Sequence, residues 1–161
     1  MTEQRSIENK RRTAVILPWY RSYRVDNICR ILNKMQYKVE RYKTLQETTR
    51  FCCEQFASIN CIISALNLGA DEFKTAEFDT IGGLFAGHAW LWEVVAPLIS
   101  KFSEEKPPRI LTFTDEEDAL RNRDLMKMLK NNPKAFFHNH NRYIIYDETQ
   151  IESELRKHLG G

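Results

Sequence analysis

Short apolar runs alternate along the chain with segments in which apolar residues recur every three or four positions. The runs occupy residues 13–17, 59–69, 109–114 and 143–146, and the core of each has the length of a β-strand. Residues 37–42 instead alternate between the two sides of the chain, which predicts a strand nearer the edge of the sheet. The segments between them carry the spacing of one buried helix face. Repeated alternation of strand and helix favours parallel strands joined by right-handed crossovers, with helices on both faces. We therefore predict a doubly wound α/β domain of the flavodoxin-like class.

The first two helices have clear start signals or clear periodicity. The spacing of apolar residues predicts a helix over 22–36. Thr44 and Glu47 match a capping box, in which the Thr hydroxyl and the Glu carboxylate bind free backbone donors at a helix start. A second helix is therefore expected over 45–57. Its predicted buried residues are Phe51, Cys52 and Phe56.

The segment 70–106 is the least regular part of the chain. Residues 84–102 keep helical spacing, but Pro97 lacks the N–H that the helix needs at that point. We expect one kinked helix or two helices here. Trp90 and Trp92 lie two positions apart and cannot face the same way on a helix. One of them should therefore be exposed or should cover another element.

The last third of the chain contains two further helix starts. The acidic run 115–118 suits the first turn of a helix that continues to Lys130, because carboxylates interact well with the helix dipole there. Asp147 and Gln150 resemble a second capping box. The buried stripe of the final helix is predicted to be Ile151, Leu155 and Leu159.

Composition limits the class of protein. With 161 residues, 42% hydrophobic and 29% charged, the chain suits one globular domain, which we expect over 13–161 after a flexible arm at 1–12. The net charge of +2 gives no indication of nucleic-acid binding. No apolar stretch is long enough to cross a bilayer and no secretory signal is present, so we expect a cytoplasmic protein without membrane contact.

The cysteine and histidine patterns predict no metal site. The four cysteines lie among apolar residues and lack C-x-x-C spacing, which favours buried reduced thiols. His138 and His140 are spaced for one side of a strand, but no third ligand is indicated. No cofactor is expected from these patterns. The four cysteines are Cys29, Cys52, Cys53 and Cys61.

Residues 62–69, Ile-Ile-Ser-Ala-Leu-Asn-Leu-Gly, resemble the third strand and following loop of response-regulator receiver domains. In that family the position of Ala65 holds the aspartate that accepts the phosphoryl group. The resemblance implies a five-stranded (βα)5 fold, with an expanded third helix region in this chain. It also implies that any site lies beyond the carboxyl ends of the strands.

The same resemblance implies a set of functional residues that this chain lacks. Receivers carry two acids after strand one, whereas this chain has Pro18 and Trp19. They carry a Lys-Pro pair after strand five, whereas this chain has Tyr146 and Asp147. The chain therefore resembles an atypical receiver, or pseudo-receiver, that cannot bind magnesium and transfer phosphate in the usual way. The degenerate phosphorylation pocket comprises Pro18, Trp19, Ala65, Asn67, Thr114 and Tyr146, of which Asn67 and Thr114 keep the family pattern.

Two functions follow as expectations. The first is a non-catalytic signalling module of two-component type that acts independently of phosphorylation, by contact with a protein partner or an output domain. It should form a homodimer through residues 115–159, as receivers often do. The alternative is a nucleotide- or flavin-binding protein or enzyme of the same fold. Its strand-end pocket would be lined by Trp19, Tyr20, Asn67, Thr114 and Asp115.

Overall fold

Five parallel strands form the centre of the molecule. The computed structural model describes residues 11–19, 22–65, 87, 90–102, 106–114 and 141–160, with only the backbone for 141–143. The spatial order of the strands is β2-β1-β3-β4-β5, the order of flavodoxin-like sheets, and all neighbouring pairs are parallel. The predicted parallel sheet is therefore confirmed. The strands are β1 Thr13–Ile16, β2 Lys38–Arg41, β3 Ile59–Ala65, β4 Arg109–Thr114 and β5 Asn141–Ile145.

Helices cover the sheet in two groups. Helix α1 contacts α4, and α2 contacts a π-helical segment that leads into α3. The chain steps from β1 to β2 in one direction and from β2 to β3 in the other, so right-handed crossovers place α1 and α2 on opposite faces. The helical bounds are α1 Ser22–Lys34, α2 Leu45–Gln55, a 3-10 turn at Phe56–Ser58, the π-helical segment Leu91–Val95, α3 Ala96–Phe102 and α4 Ile151–Leu159.

Strands β3 and β4 are buried almost without interruption, because helices cover both faces of a parallel sheet. In β4 every residue after Arg109 is buried. In β3 only Asn60 is exposed, and the register of β3 against β1 shifts at this residue. The amide oxygen of the Asn60 side chain accepts a hydrogen bond of 2.9 Å from the backbone N–H of Thr13. The side chain thus satisfies a donor at the irregularity in the ladder.

Helix α1 ends in a Schellman motif. Gln36 has a φ of 66°, in the left-handed region. Its N–H donates to the carbonyl of Asn33, and the N–H of Tyr37 donates to the carbonyl of Leu32. Tyr37 and Leu32 are both buried, so the turn directs the chain from α1 into the edge strand β2.

The start of α2 agrees with the sequence prediction. The Oγ1 atom of Thr44 accepts a hydrogen bond of 3.1 Å from the N–H of Glu47. This contact satisfies one of the free donors in the first turn of the helix. Cys52 and Phe56 are buried as predicted, but Phe51 is only partly buried and packs against Tyr42, with their ring centroids 5.6 Å apart.

Pro97 is accommodated by a π-helical turn. The N–H of Ala96 donates to the carbonyl of Leu91, five residues earlier, and residues 90–102 are helical throughout. A proline removes one i→i−4 hydrogen bond, and widening the preceding turn adapts the helix to that loss. Of the two tryptophans, Trp90 is fully buried and donates to the Oγ1 atom of Thr49, whereas Trp92 is partly exposed. The prediction that they face different environments is confirmed.

Two local predictions are wrong. Cys53 is exposed, because it follows the buried Cys52 on α2 and the next helical position faces away from the core. Asp147 does not cap the last helix, which begins at Ile151 with Gln150 as its N-cap. Asp147 instead accepts hydrogen bonds from the N–H and hydroxyl of Thr149, as in an Asx turn. The predicted buried stripe of Ile151, Leu155 and Leu159 is confirmed.

The C-terminal helix is anchored at the amino-terminal ends of the strands. The carbonyl of Leu159 accepts from the hydroxyl of Tyr37 at 3.2 Å and from the guanidinium of Arg12 at 3.4 Å. Arg109 donates to the carbonyl of His158. Cationic donors at a helix C-terminus satisfy carbonyls that have no partner within the helix. Among the helices of the described ranges, none combines the length and the apolar character that crossing a bilayer requires.

Candidate functional site

The sheet brings together the strand ends at which the sequence predicts a site. Ala65 pairs with Phe113 at the end of β3, and Thr114 pairs with Ile145 at the end of β4. The ladder continues beyond the strands, because the N–H of Leu17 donates to the carbonyl of Ile63 and that of Tyr146 to the carbonyl of Thr114. The residues that follow β1 and β5 are therefore held in register with the sheet.

Aromatic side chains fill this edge of the sheet. The ring of Tyr146 meets Trp19 edge-on with centroids 5.9 Å apart, and it meets Phe113 in the same way at 6.4 Å. Such edge-to-face pairs are favourable because the positive edge of one ring faces the negative face of the other. All three side chains are buried. We call these three residues the aromatic cluster, together with Arg24 of α1, whose guanidinium lies over two of the rings.

Arg24 and Asn27 of α1 complete this arrangement. The guanidinium carbon of Arg24 lies 4.5 Å from the centroid of Tyr146 and 5.4 Å from that of Trp19, within the range of cation–π attraction. The Nδ2 atom of Asn27 donates to the Tyr146 hydroxyl at 2.9 Å. The first two turns of α1 thus contact a face of the Trp19 and Tyr146 rings and the hydroxyl of Tyr146.

We call the carboxyl-terminal end of the sheet, where the aromatic cluster lies, the closed edge. Four of the predicted pocket residues lie there. Trp19, Ala65, Thr114 and Tyr146 are all buried, with exposed fractions of 3 to 6%. Pro18 is partly exposed. Asn67, Tyr20 and Asp115 lie outside the described residues, as do His88, His138, His140 and the predicted helix that starts at 115–118.

Sequence reasoning did not identify Arg24, Asn27 or Phe113 as parts of this edge. Arg24 carried a signal, because a cation in the first turn of a helix opposes the helix dipole and therefore calls for a partner elsewhere. Phe113 and Asn27 carried none, since an aromatic residue in a strand and an amide on a helix have many ordinary roles. Only the register of β4 and the packing of α1 bring them to Tyr146.

The described residues at this edge provide aromatic rings, the Arg24 guanidinium and a few uncharged polar groups such as the Asn27 amide. The Asp147 carboxylate also lies here, and it is exposed and bound by Thr149. The hydroxyl of Thr149, and then its N–H, lower the pKa of Asp147. Within the described ranges, no group of three or more His, Cys, Asp or Glu side chains is arranged to hold a metal ion.

A separate cavity opens on the other side of β1. Its volume is about 430 Å³, and it lies between the carboxyl ends of β1 and β2 and the first turn of α1. We call it the β1–β2 cavity. It shares only Trp19 with the aromatic cluster. Its lining residues are Pro18, Trp19, Ser22, Val25, Arg41, Tyr42 and Lys43.

Two polar groups of this cavity, on Arg41 and Tyr42, have defined partners. The Nη1 atom of Arg41 lies 2.5 Å from Oδ1 of Asp26. The Tyr42 hydroxyl donates to Oε2 of Glu40 at 2.9 Å. Loss of solvation and the Glu40 carboxylate raise the pKa of Tyr42 to about 12, so its hydroxyl stays protonated at neutral pH. Lys43 is exposed and makes no ion pair with another described residue.

Comparisons with known proteins give information on the fold. No protein-family model matches the chain, and no curated protein matches it. A solved structure described as a trimeric coiled coil of yeast Spc42, amino acids 181–211, fused to another protein of known structure, is similar to this chain. The TM-score is 0.53 at 17% identity, and the match covers 93% of this chain and 76% of the other. At this identity the similarity shows a shared fold and nothing about activity.

Proposed function

We propose that this chain is a non-catalytic signalling module of the receiver-like type, which acts through protein contacts and is not phosphorylated at the end of β3. The observation that carries the proposal is the closed edge of the sheet. At the position of the receiver phosphoacceptor stands the buried Ala65, and the aromatic cluster occupies the adjoining strand ends.

After β1 and β5, the positions that carry the receiver's magnesium-binding acids and lysine hold other residues in this chain. Magnesium prefers carboxylate and other oxygen ligands, and Pro18 and Trp19 supply no such side chain after β1. Tyr146 follows β5, where the receiver resemblance expects a lysine. Its ring is held by Trp19, Phe113 and Arg24, which favours a structural role for the residue.

The proposal includes the complete (βα)5 topology. Strands β4 and β5 are parallel neighbours, so the chain between them must cross from one end of the sheet to the other. The acidic run 115–118 begins the crossover helix that the sequence predicts. The strand order supports this arrangement.

The direct test is exposure to a phosphoryl donor and to a phosphoryl mimic. We expect acetyl phosphate with magnesium to leave the mass of the protein unchanged. We also expect beryllofluoride with magnesium to leave the backbone amide resonances of Ala65, Thr114 and Tyr146 where magnesium alone leaves them. A conventional receiver domain treated in parallel is the positive control. A phosphorylated product, or a beryllofluoride-dependent shift at these three amides, would overturn the proposal.

We further propose that two copies associate through the region 115–159. Within the described chain, β5 is an edge strand, and its Ile145 is 52% exposed. An edge strand has unpaired backbone N–H and C=O groups with which another chain can pair, and Ile145 adds apolar area at this edge. A second copy is the partner that the receiver resemblance implies.

Sedimentation velocity tests this association. We expect the wild-type protein to sediment as a dimer and Ile145→Glu to sediment as a monomer, because the carboxylate would have to lose its hydration in the interface. Phe102→Glu is the matched control, since Phe102 is 50% exposed on α3 and lies outside the proposed surface. A monomeric wild-type protein at high concentration, or a dimeric Ile145→Glu variant, would contradict the dimer.

A further inference from the structure

We propose that the β1–β2 cavity is a binding site for a small organic oxyanion, a carboxylate or phosphate attached to a flat apolar body. The site does not depend on the proposed signalling function, because it uses a different set of residues from the closed edge. Only Pro18 and Trp19, which follow β1, belong to both, and Trp19 forms one wall of the cavity. The size, the walls, the charge and the position of the cavity all favour such a ligand.

The size and the walls suit an organic molecule. A volume of about 430 Å³ falls within the range of roughly 300 to 1,000 Å³ that small-molecule sites occupy. Much of the wall is apolar or aromatic, contributed by Pro18, Trp19, Val25 and Tyr42. Such surfaces bind a flat apolar body by excluding water from both.

The aromatic wall is held in place before any ligand arrives. Tyr42 packs against Phe51 on one side, and its hydroxyl is fixed by the hydrogen bond to Glu40. Trp19 is held edge-on by Tyr146 and lies beneath Arg24. A wall that is already ordered loses little conformational entropy on binding, which favours affinity for a small ligand.

The described part of the cavity lining is positively charged. Among the described residues that line the cavity, Arg41 and Lys43 are charged and none is Asp or Glu. Asp26 contacts one nitrogen of Arg41, which leaves other guanidinium N–H groups able to donate. Lys43 has no ion-pair partner among the described residues. Two adjacent cations match a carboxylate or phosphate, for which charge-assisted hydrogen bonds are the stronger kind.

The cavity lies at the end of the sheet where ligands of doubly wound domains bind. Arg41 ends β2, and Pro18 and Trp19 follow β1, so the cavity lies beyond the carboxyl ends of two neighbouring strands. Ligands of open α/β sheets bind beyond these ends, most often at the point where the strand order reverses, which here is between β1 and β3 and next to this cavity. The hydroxyl of Ser22, at the start of α1, adds an uncharged donor to the same lining.

Nuclear magnetic resonance titration tests the site with two pairs of probes. Adenosine monophosphate is compared with adenosine, and indole-3-acetate with indole-3-ethanol, so that each oxyanion has a neutral partner with the same ring. We expect at least one oxyanion to shift the backbone amides of Trp19, Ser22 and Lys43 in a saturable way. Its neutral partner should bind at least about tenfold more weakly, because it forgoes the charge-assisted contacts.

The two pairs also distinguish the form of the oxyanion. A response to the nucleotide alone indicates a phosphate site, and a response to indole-3-acetate alone indicates a carboxylate site. Either result supports the proposal. Absence of a saturable shift with both oxyanions at millimolar concentration would overturn it, and so would equal affinity for the charged and neutral member of each pair.

Charge-neutralising variants identify the residues. We expect Arg41→Gln and Lys43→Gln each to weaken binding of the active oxyanion about tenfold. The matched control is Lys157→Gln. It removes an exposed positive charge from α4, which is far from the cavity residues in the sequence, and the variant should bind as the wild type does. Lys43→Gln also separates binding from folding, because Lys43 makes no described ion pair. Unchanged affinity in both cavity variants would exclude this cavity as the site.

Discussion

The side-chain amide of Asn27 donates a hydrogen bond of 2.9 Å to the hydroxyl of Tyr146. The contact joins helix α1, near the start of the chain, to the residue that follows the last strand. Tyr146 is buried, and its ring is surrounded by Trp19, Phe113 and Arg24. A residue that the receiver resemblance assigns to phosphate chemistry therefore has the contacts of a structural tyrosine in this protein.

Replacing Tyr146 with phenylalanine should destabilise the protein by about 1 to 2 kcal/mol, because a partly buried donor on Asn27 loses its acceptor. Urea unfolding measures the difference in the free energy of unfolding. Tyr23→Phe is the matched control, since the Tyr23 hydroxyl also accepts a hydrogen bond but the side chain is 51% exposed. The control should change stability by less than about 0.5 kcal/mol. Equal effects of the two variants would show that the Asn27 contact contributes little.

Restoring the phosphoacceptor alone should not restore phosphorylation. Ala65→Asp places a carboxyl group at a position that is 3% exposed, with Pro18 and Trp19 in place of the magnesium-binding acids. We expect no product with acetyl phosphate and magnesium, and a loss of about 3 kcal/mol in the free energy of unfolding at pH 7.

The stability of Ala65→Asp should also depend on pH in a defined direction. Burial raises the pKa of the introduced carboxyl group above its ordinary value of about 3.9. The deficit relative to the wild type should therefore be smallest below about pH 4 and should grow until the pH passes the pKa in the folded state. Ala65→Asn is the neutral control and should show a deficit that does not vary with pH. A phosphorylated Ala65→Asp protein would contradict the proposed function.

Loss of the Thr149 hydroxyl should change the pKa of Asp147 in the Asx turn before α4. Hydrogen bonds from Thr149 lower the pKa of Asp147 below its ordinary value of 3.8, with the side-chain bond contributing most. Because the pKa is lowered in the folded state, the stabilisation is present above pH 3.8 and is lost as the pH falls through the folded-state pKa. Thr149→Val should raise the pKa of Asp147 towards 3.8 without reaching it, since the N–H of residue 149 still donates. Carbon-detected titration of the carboxyl group measures this, and an unchanged pKa would contradict the assignment.

The cysteines should differ sharply in reactivity. Cys53 is exposed, whereas Cys52 and Cys61 are fully buried. Burial raises the pKa of Cys52 to about 12, and burial also raises the pKa of Cys61, so neither forms a thiolate at pH 8. We expect Ellman's reagent to modify Cys53 rapidly in the native protein and the two buried thiols only after unfolding. Cys29 is partly buried, and burial raises the pKa of its thiol, so it should react more slowly than Cys53. Cys53→Ser should therefore abolish the fast phase, and rapid modification of Cys52 or Cys61 in the native protein would contradict the burial pattern.

The turn after α1 offers a stabilising substitution. Gln36 occupies the left-handed region, which costs a non-glycine residue about 1 kcal/mol. Gln36→Gly should therefore be more stable than Gln36→Ala by about 1 kcal/mol, because both variants remove the side-chain amide and only glycine relieves the backbone strain. Thermal or urea unfolding of the pair measures the difference. If alanine is the more stable variant, the loss of chain entropy with glycine outweighs the strain.

Short sequence patterns predicted those strands and helix ends whose formation depends on residues close together in the sequence. The apolar run of β4 and the Thr44 cap of α2 could be located from the sequence, because burial on both faces and capping each leave a short pattern. Two local predictions failed where a competing arrangement was available. The Asp147 carboxylate accepts hydrogen bonds from Thr149 instead of capping the start of a helix. Cys53 faces away from the core that holds Cys52.

The sequence by itself determined the alternation of strands and helices, the parallel sheet and the absence of an acid at Ala65, because periodicity and residue identity are local properties. Only the tertiary structure decided what stands at the strand ends. Contacts of Tyr146 with Trp19, Phe113 and Asn27 join segments that are distant along the chain, so no local pattern records them. The β1–β2 cavity likewise exists because Arg41 and Lys43 at the end of one strand lie across from Trp19 at the end of its neighbour.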